Sequence, residues 1–217
     1  MAKLDLKALL EQARGILDDN IRYRGRFAVA ALYVDPDGPY KGLVREFYDE
    51  SRDATTYDGD LPVVAHPPCG PWGKLAWRCK NQDKEAGRHA IRVVRRVGGV
   101  VEHPVGSKLF ADMGIETAPW TPDRAVDAWG GYTIKIRQWD QGHRALKDTI
   151  LYIVGTDVLP MGLAMAREGG EPMPVEHMTK LERRLTPSGL AYNLALLASM
   201  TTPPKERGSL ISWPSSI

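Results

Sequence analysis

Two stretches decide how this chain folds: LPVVAHPPCGPW at residues 61–72 and VGGVVEHP at residues 97–104. Each is a short apolar run cut off by a proline-containing loop, as a strand buried on both faces reads. Between them, Asp83–Val97 carries Ala86, Ala90, Ile91, Val94 and Val97 on one helical face and Arg88, Arg92, Arg95 and Arg96 largely on another. That period predicts a helix, which Gly98-Gly99 ends. Strand, loop, helix, strand, loop is a βαβ unit. In an open α/β sheet, ligands collect outside the carboxyl ends of the strands. The HPPCGPW and EHP loops both fall at such ends, so neighbouring strands would turn Cys69 and Glu102 toward one crevice.

The same reading extends outward. Phe27–Val34 (FAVAALYV) is a further buried strand, closed by the loop Asp35-Pro36-Asp37-Gly38-Pro39-Tyr40. Residues 45–60 are polar and acidic, with at most a short strand near Phe47. Tyr132–Trp139 (YTIKIRQW) alternates as a half-exposed strand does, and Thr149–Val154 (TILYIV) is a strong strand. Helices are expected over Leu4–Leu17, amphipathic, and over Ser188–Ser199, after Thr186-Pro187. The expected organisation is one α/β domain over residues 1–200 with an N-terminal helix, and a Pro/Ser-rich tail over 201–217.

Composition narrows the class. The 217 residues are 43% hydrophobic and 26% charged, enough for a sizeable core and unlike a disordered or collagen-like chain. No apolar run approaches the roughly 18 residues that span a bilayer, and no secretory h-region is visible, so no membrane partner is expected. Two cysteines, Cys69 and Cys79, make no disulfide scaffold and suit a reducing cytoplasm. Lys plus Arg is 29 against 27 Asp plus Glu, a net charge of +2 that permits nucleic acid without demanding it.

The loops hold the residues able to do chemistry. Cys69 sits between rigid prolines, a setting for a nucleophile whose thiolate is favoured by electropositive surroundings; the alternative is a buried structural cysteine. Glu102 ends an apolar strand, either as a general acid with a raised pKa or as the cap of a following turn. His66, Cys69, Cys79, His89 and His103 are zinc-type ligands by chemistry, but their spacing matches no familiar zinc motif and no metal is assigned. Trp72 lies three residues from Cys69 and is placed to stack on a base; Trp77, Trp120, Trp129 and Trp139 read as core or loop anchors. The arginine face of the helix is a solvated surface or, less simply, a phosphate track. His143 beside Arg144 is an anion site or a helix-start cap.

Pro67-Pro68-Cys69 followed by a strand ending Glu102-His103-Pro104 resembles the cytosine carbon-5 DNA methyltransferases, in which a Pro-Pro-Cys loop precedes a strand ending Glu-Asn-Val. The family's Gln-x-Arg-x-Arg motif loosely resembles Gly142-His143-Arg144-Ala145-Leu146-Lys147, and its closing segment resembles Arg184-Leu185-Thr186-Pro187. The pattern, with Gly38-Pro39-Tyr40 and AHPPC, also resembles small proteins common in phages and prophages, implying the cytoplasm of a bacterial host. The resemblance implies a single Rossmann-like, methyltransferase-like open sheet. Residues 156–183 are too few for a separate target-recognition domain.

It also implies a chemistry. Cys69 would add to carbon 6 of a pyrimidine while Glu102 serves ring nitrogen 3, and carbon 5 would then attack the methyl group of S-adenosylmethionine. His66, Pro68, Trp72, His103, His143, Arg144 and Lys147 would contact the substrate, a pyrimidine in DNA or in a free nucleotide. The family's glycine-rich donor loop has no counterpart, since the chain contains no Gly-x-Gly; Asp35, Asp37, Gly38, Tyr40 and Asp58 are the candidates for that role. The expectation is a pyrimidine-modifying transferase. The rival expectation is a nucleic-acid-binding or host-interaction protein that kept the fold and lost the donor loop.

Overall fold

The computed structural model describes residues 25–74, 76–117, 125–167, 170–174 and 177–204; the expected helix at Leu4–Leu17, Trp120 and most of the tail lie outside them. The chain forms a mixed α/β structure around one open six-stranded sheet of order β2-β1-β3-β4-β6-β5. β1 (Phe27–Leu32), β2 (Val44–Tyr48), β3 (Val63–Ala65) and β4 (Gly99–Pro104) are parallel to one another. β6 (Asp148–Val154) runs antiparallel to β4, and β5 (Tyr132–Arg137) pairs antiparallel with the far side of β6.

The apolar runs sort into two faces because successive side chains of a strand point opposite ways. Val29, Ala31, Val64 and Val100 face the helix Ser188–Ser199, whose Leu190, Leu194 and Leu197 are fully buried. Ala30, Leu32, Val63, Ala65 and Val101 face the crossover helix Glu85–Val97 through Ala90, Ile91 and Val94. The expected βαβ unit is therefore β3, crossover helix, β4. At its tightest point Gly99 has φ +124°, and a Cβ there would lie 2.0 Å from the Val63 carbonyl oxygen.

Two local expectations are corrected. The first strand stops at Leu32 rather than Val34, because Tyr33 turns left-handed at φ 59° and its hydroxyl bonds His89 Nδ1 on the crossover helix at 2.9 Å. The arginine face of that helix is solvated at Arg88, Arg92 and Arg96 but not at Arg95. Arg95 is buried, donating to Tyr152 Oη at 3.0 Å and to Asp127 at 3.0 Å, with Trp129 stacked 3.6 Å beneath it. Arg88 forks onto Asp112, Arg92 pairs with Glu85, and Arg96 donates to the Gly59 carbonyl at 3.0 Å. No helix among the described residues is long and apolar enough to cross a membrane.

Candidate functional site

Topology assembles the site. β1 sends its chain to β2 on one side, while β3 lies on the other, so the direction of winding switches between β1 and β3. Such a switch point opens a crevice at the carboxyl ends of the strands. The loop Asp35–Tyr40 leaves β1 there, and His66–Trp72 leaves β3. Glu102 lies on β4, one strand further along. Because β6 is reversed, its first residues return to this same end of the sheet, bringing Lys147 and Thr149 alongside Glu102. β5 is parallel to β4, so Gln138, just past its end, arrives there too.

These side chains converge on one carboxylate. Glu102 Oε2 accepts from His66 Nδ1 at 3.0 Å, and His66 Nε2 meets the hydroxyl of Tyr40 at 2.7 Å. Oε1 accepts from Gln138 Nε2 at 2.9 Å and from the hydroxyl of Thr149. Burial pushes the Glu102 carboxyl up, but the His66 hydrogen bond and charge, Lys147 and Thr149 outweigh it and hold the pKa down at about 2. The expected raised pKa is therefore corrected: Glu102 rests as a buried carboxylate fastened by three hydrogen-bonding side chains.

Cys69 lies at the surface beside exposed Pro68, where the Gly70–Trp72 turn begins. Neither a buried structural cysteine nor a ready thiolate describes it. Desolvation pushes its thiol pKa up, Lys147 pulls it down, and Glu102 pushes it up again. The thiol and carboxylate thus feel each other and share one cation, Lys147, whose ammonium also donates to the Arg183 carbonyl at 3.2 Å.

Other expected site residues lie elsewhere. His66 is at the centre, but both ring nitrogens are engaged within the chain, so it positions Glu102 rather than greeting a substrate. His103 follows Glu102 in β4 and points to the opposite face, fully buried edge-on to Phe110. The Pro67 and Pro68 carbonyls face its ring without closing well-aligned hydrogen bonds, and burial drives its pKa down to about 4. Trp72 is a core residue, 1% exposed and packed against Gly87, because the Gly70–Trp72 turn rolls its ring inward. His143 is buried with Nδ1 accepting from the Ala145 amide at 3.0 Å, and Arg144 pairs outside with Glu182 at 2.6 Å. The anion site expected of that pair is not formed.

The candidates for the donor loop divide. Tyr40 is buried in the His66 relay. Asp35 and Asp37 are exposed at the switch point, where Asp35 accepts from the amides of Asp37 and Gly38. Asp58 lies at the other end of the sheet, its carbonyl facing Arg96 in the last turn of the crossover helix. Among the described residues, no group of three or more His, Cys, Asp and Glu side chains is placed to hold a metal ion; His89 bonds Tyr33 instead.

The structure also adds residues that sequence reasoning passed over. Gln138 and Thr149 hold Glu102, and only the strand reversal brings them there. Trp77, counted among the anchors, is 72% exposed on the loop that follows Cys69. A cavity of about 210 Å³ bordered by Val105, Thr133, Lys135 and Ile150 lies toward β5, away from Cys69. Comparison with protein-family models and with curated proteins finds no match for the chain.

Proposed function

We propose that this protein is an enzyme that activates a pyrimidine at carbon 5 through a transient bond from Cys69 to carbon 6. The observation that carries the reading is the meeting, at the switch end of an open α/β sheet, of a surface thiol and a buried carboxylate that share Lys147. Desolvation favours the protonated Cys69 thiol and the bonds to Glu102 favour its carboxylate, so the step begins with the proton on sulfur. Addition breaks the S–H bond, makes an S–C6 bond and opens the C5–C6 double bond; the thiol proton passes by way of Glu102 to ring nitrogen 3. Carbon 5 becomes an enamine carbon able to accept an electrophile. Loss of the carbon 5 proton and expulsion of Cys69 then restore the ring, and nitrogen 3 returns its proton to sulfur.

The residues do not fit S-adenosylmethionine as a cradle. The Asp35–Tyr40 loop spends the amides of Asp37 and Gly38 on Asp35, and Tyr40 is turned inward to His66. Asp35 and Asp37 remain as exposed carboxylates suited to a cationic or hydroxyl-bearing donor, and no step is routed through one. The test needs no donor. In D₂O, the wild type is expected to exchange the carbon 5 hydrogen of cytosine for deuterium in an oligonucleotide or a nucleotide, and Cys69→Ser to abolish the exchange. Absence of exchange on both substrates overturns the reading.

The exposed Trp77 ring beside the Arg78 guanidinium favours a second reading, a protein that binds nucleic acid without modifying it. Nucleoside mass spectrometry of DNA from cells expressing the wild type or Cys69→Ser separates the two. A pyrimidine mass seen only with the wild type excludes simple binding, and its increment names the group.

A further inference from the structure

The loop after Cys69 carries cations with no acid among them. Several cations elsewhere have acidic partners: Arg88 with Asp112, Arg92 with Glu85, Arg95 with Asp127, Lys135 with Asp148, Arg144 with Glu182. From Leu61 to Gln82 the chain contains no Asp or Glu. Lys74, Arg78 and Lys80 are all exposed there, and among the described residues none has a carboxylate within 4.0 Å.

In the middle of these cations stands Trp77. Its ring is 72% exposed, whereas Trp72 and Trp139 are buried and Trp129 is covered by Arg95. The Arg78 guanidinium lies 4.6 Å from the Trp77 ring centroid. Lys74 reaches over the loop after β4, its Cε 3.9 Å from where a Gly106 side chain would begin. The ribbon therefore runs from beside Cys69 to beside the strand that carries Glu102. An exposed indole backed by a guanidinium and flanked by unpaired cations is how proteins hold a strand with unstacked bases: the rings take a base, the cations take phosphates.

We infer that Lys74, Trp77, Arg78 and Lys80 form a binding surface for single-stranded nucleic acid, with one base stacked on Trp77. This rests on the pyrimidine reading above for its purpose and makes the substrate a polynucleotide rather than a free nucleotide. The full chain is titrated against a fluorescent oligo-dC, with heparin and a polyglutamate peptide as polyanions without bases. The wild type is expected to bind the strand. Trp77→Ala is expected to bind it about ten- to a hundredfold more weakly, Trp77→Phe to recover most of that loss, and heparin affinity to stay unchanged in both. Arg78→Ala with Lys80→Ala is expected to flatten the log K against log salt slope by about 1.4.

Unchanged strand binding by Trp77→Ala overturns the inference, as does an equal loss toward heparin or polyglutamate, which marks a plain anion patch. Carbon 5 exchange separates the two claims. Strand binding through Trp77 with no exchange in any substrate leaves this surface standing and the catalytic reading overturned. Exchange on free nucleotide that is indifferent to Trp77→Ala, with no strand binding, does the reverse.

Discussion

His103 is the place where acid should first loosen the fold. Its ring is fully buried and its pKa is pushed by desolvation from 6.5 down to about 4. The unfolded chain takes up a proton on this side chain near pH 6.5, whereas the folded chain refuses it until near pH 4. The folded state therefore loses stability as pH falls through that window and keeps its full stability above it. At 1.36 kcal/mol per unit, the loss from this one group is about 2 kcal/mol at pH 5 and about 3 kcal/mol at pH 4. The assay is urea unfolding at a series of pH values, followed by tryptophan fluorescence, for the wild type and His103→Asn. The variant is expected to be less stable at neutral pH, having lost the contact with Phe110, but its stability should fall less steeply than the wild type's from pH 7 to pH 5, keeping only the loss from His89 and His143, whose pKa values burial also lowers. A variant whose stability falls in parallel with the wild type over that range would refute the assignment. Glu102 acts in a later window: its lowered pKa stabilises the fold above about 4.5 and is lost as pH falls toward 2.

Cys69→Ser should shift stability by no more than about 0.5 kcal/mol, since Cys69 is exposed, while removing carbon 5 exchange; a large drop in melting temperature would make the thiol a packing group. Glu102→Gln should slow exchange by at least about a hundredfold and leave strand binding by Trp77 unchanged, as a kinetic and a binding titration would show together. Arg95→Met should cost about 3 kcal/mol in denaturant, because it leaves the Asp127 carboxylate half-buried without its cation. Gly99→Ala should cost at least as much by the same measurement, having to push β3 and β4 apart.

The parts of the fold that follow local periodicity were legible from the residues. Ser188–Ser199 and the crossover helix stand where their spacing predicts, and the buried strands stand where apolar runs meet proline loops. The meeting of the Cys69 and Glu102 loops followed from that pattern alone. The reversed strand did not, because whether TILYIV pairs parallel or antiparallel depends on a distant partner rather than on its own composition. Lys147 was named from a resemblance, but Thr149 and Gln138 became visible only with the pairing. The misplacement of His103 is different, since the period of two along β4 already separates it from Glu102. Nearness to Cys69 points to Trp72 rather than Trp77, yet a single turn between Gly70 and Trp72 reverses which ring meets solvent. Arg95 shows the limit of counting charges on a helix, because its partner Asp127 comes from a loop more than thirty residues away.

The insertion of β6 between β4 and β5 has a consequence for the order in which the molecule is made. β5 leaves the ribosome before β6, the only strand it pairs with among the described residues, so for a time YTIKIR is an edge without that neighbour. When β6 follows, it zips to β4 on one side and captures β5 on the other. In the same event Thr149 and Gln138 reach Glu102, so until then the carboxylate lacks two of the donors that keep it charged. A nascent chain that stops before residue 148 would carry Cys69 and Glu102 without this clamp. The charge state of Glu102 is thereby tied to completion of the sheet, and a half-made molecule presents the Cys69 thiol beside a carboxylate that two of its donors have yet to reach.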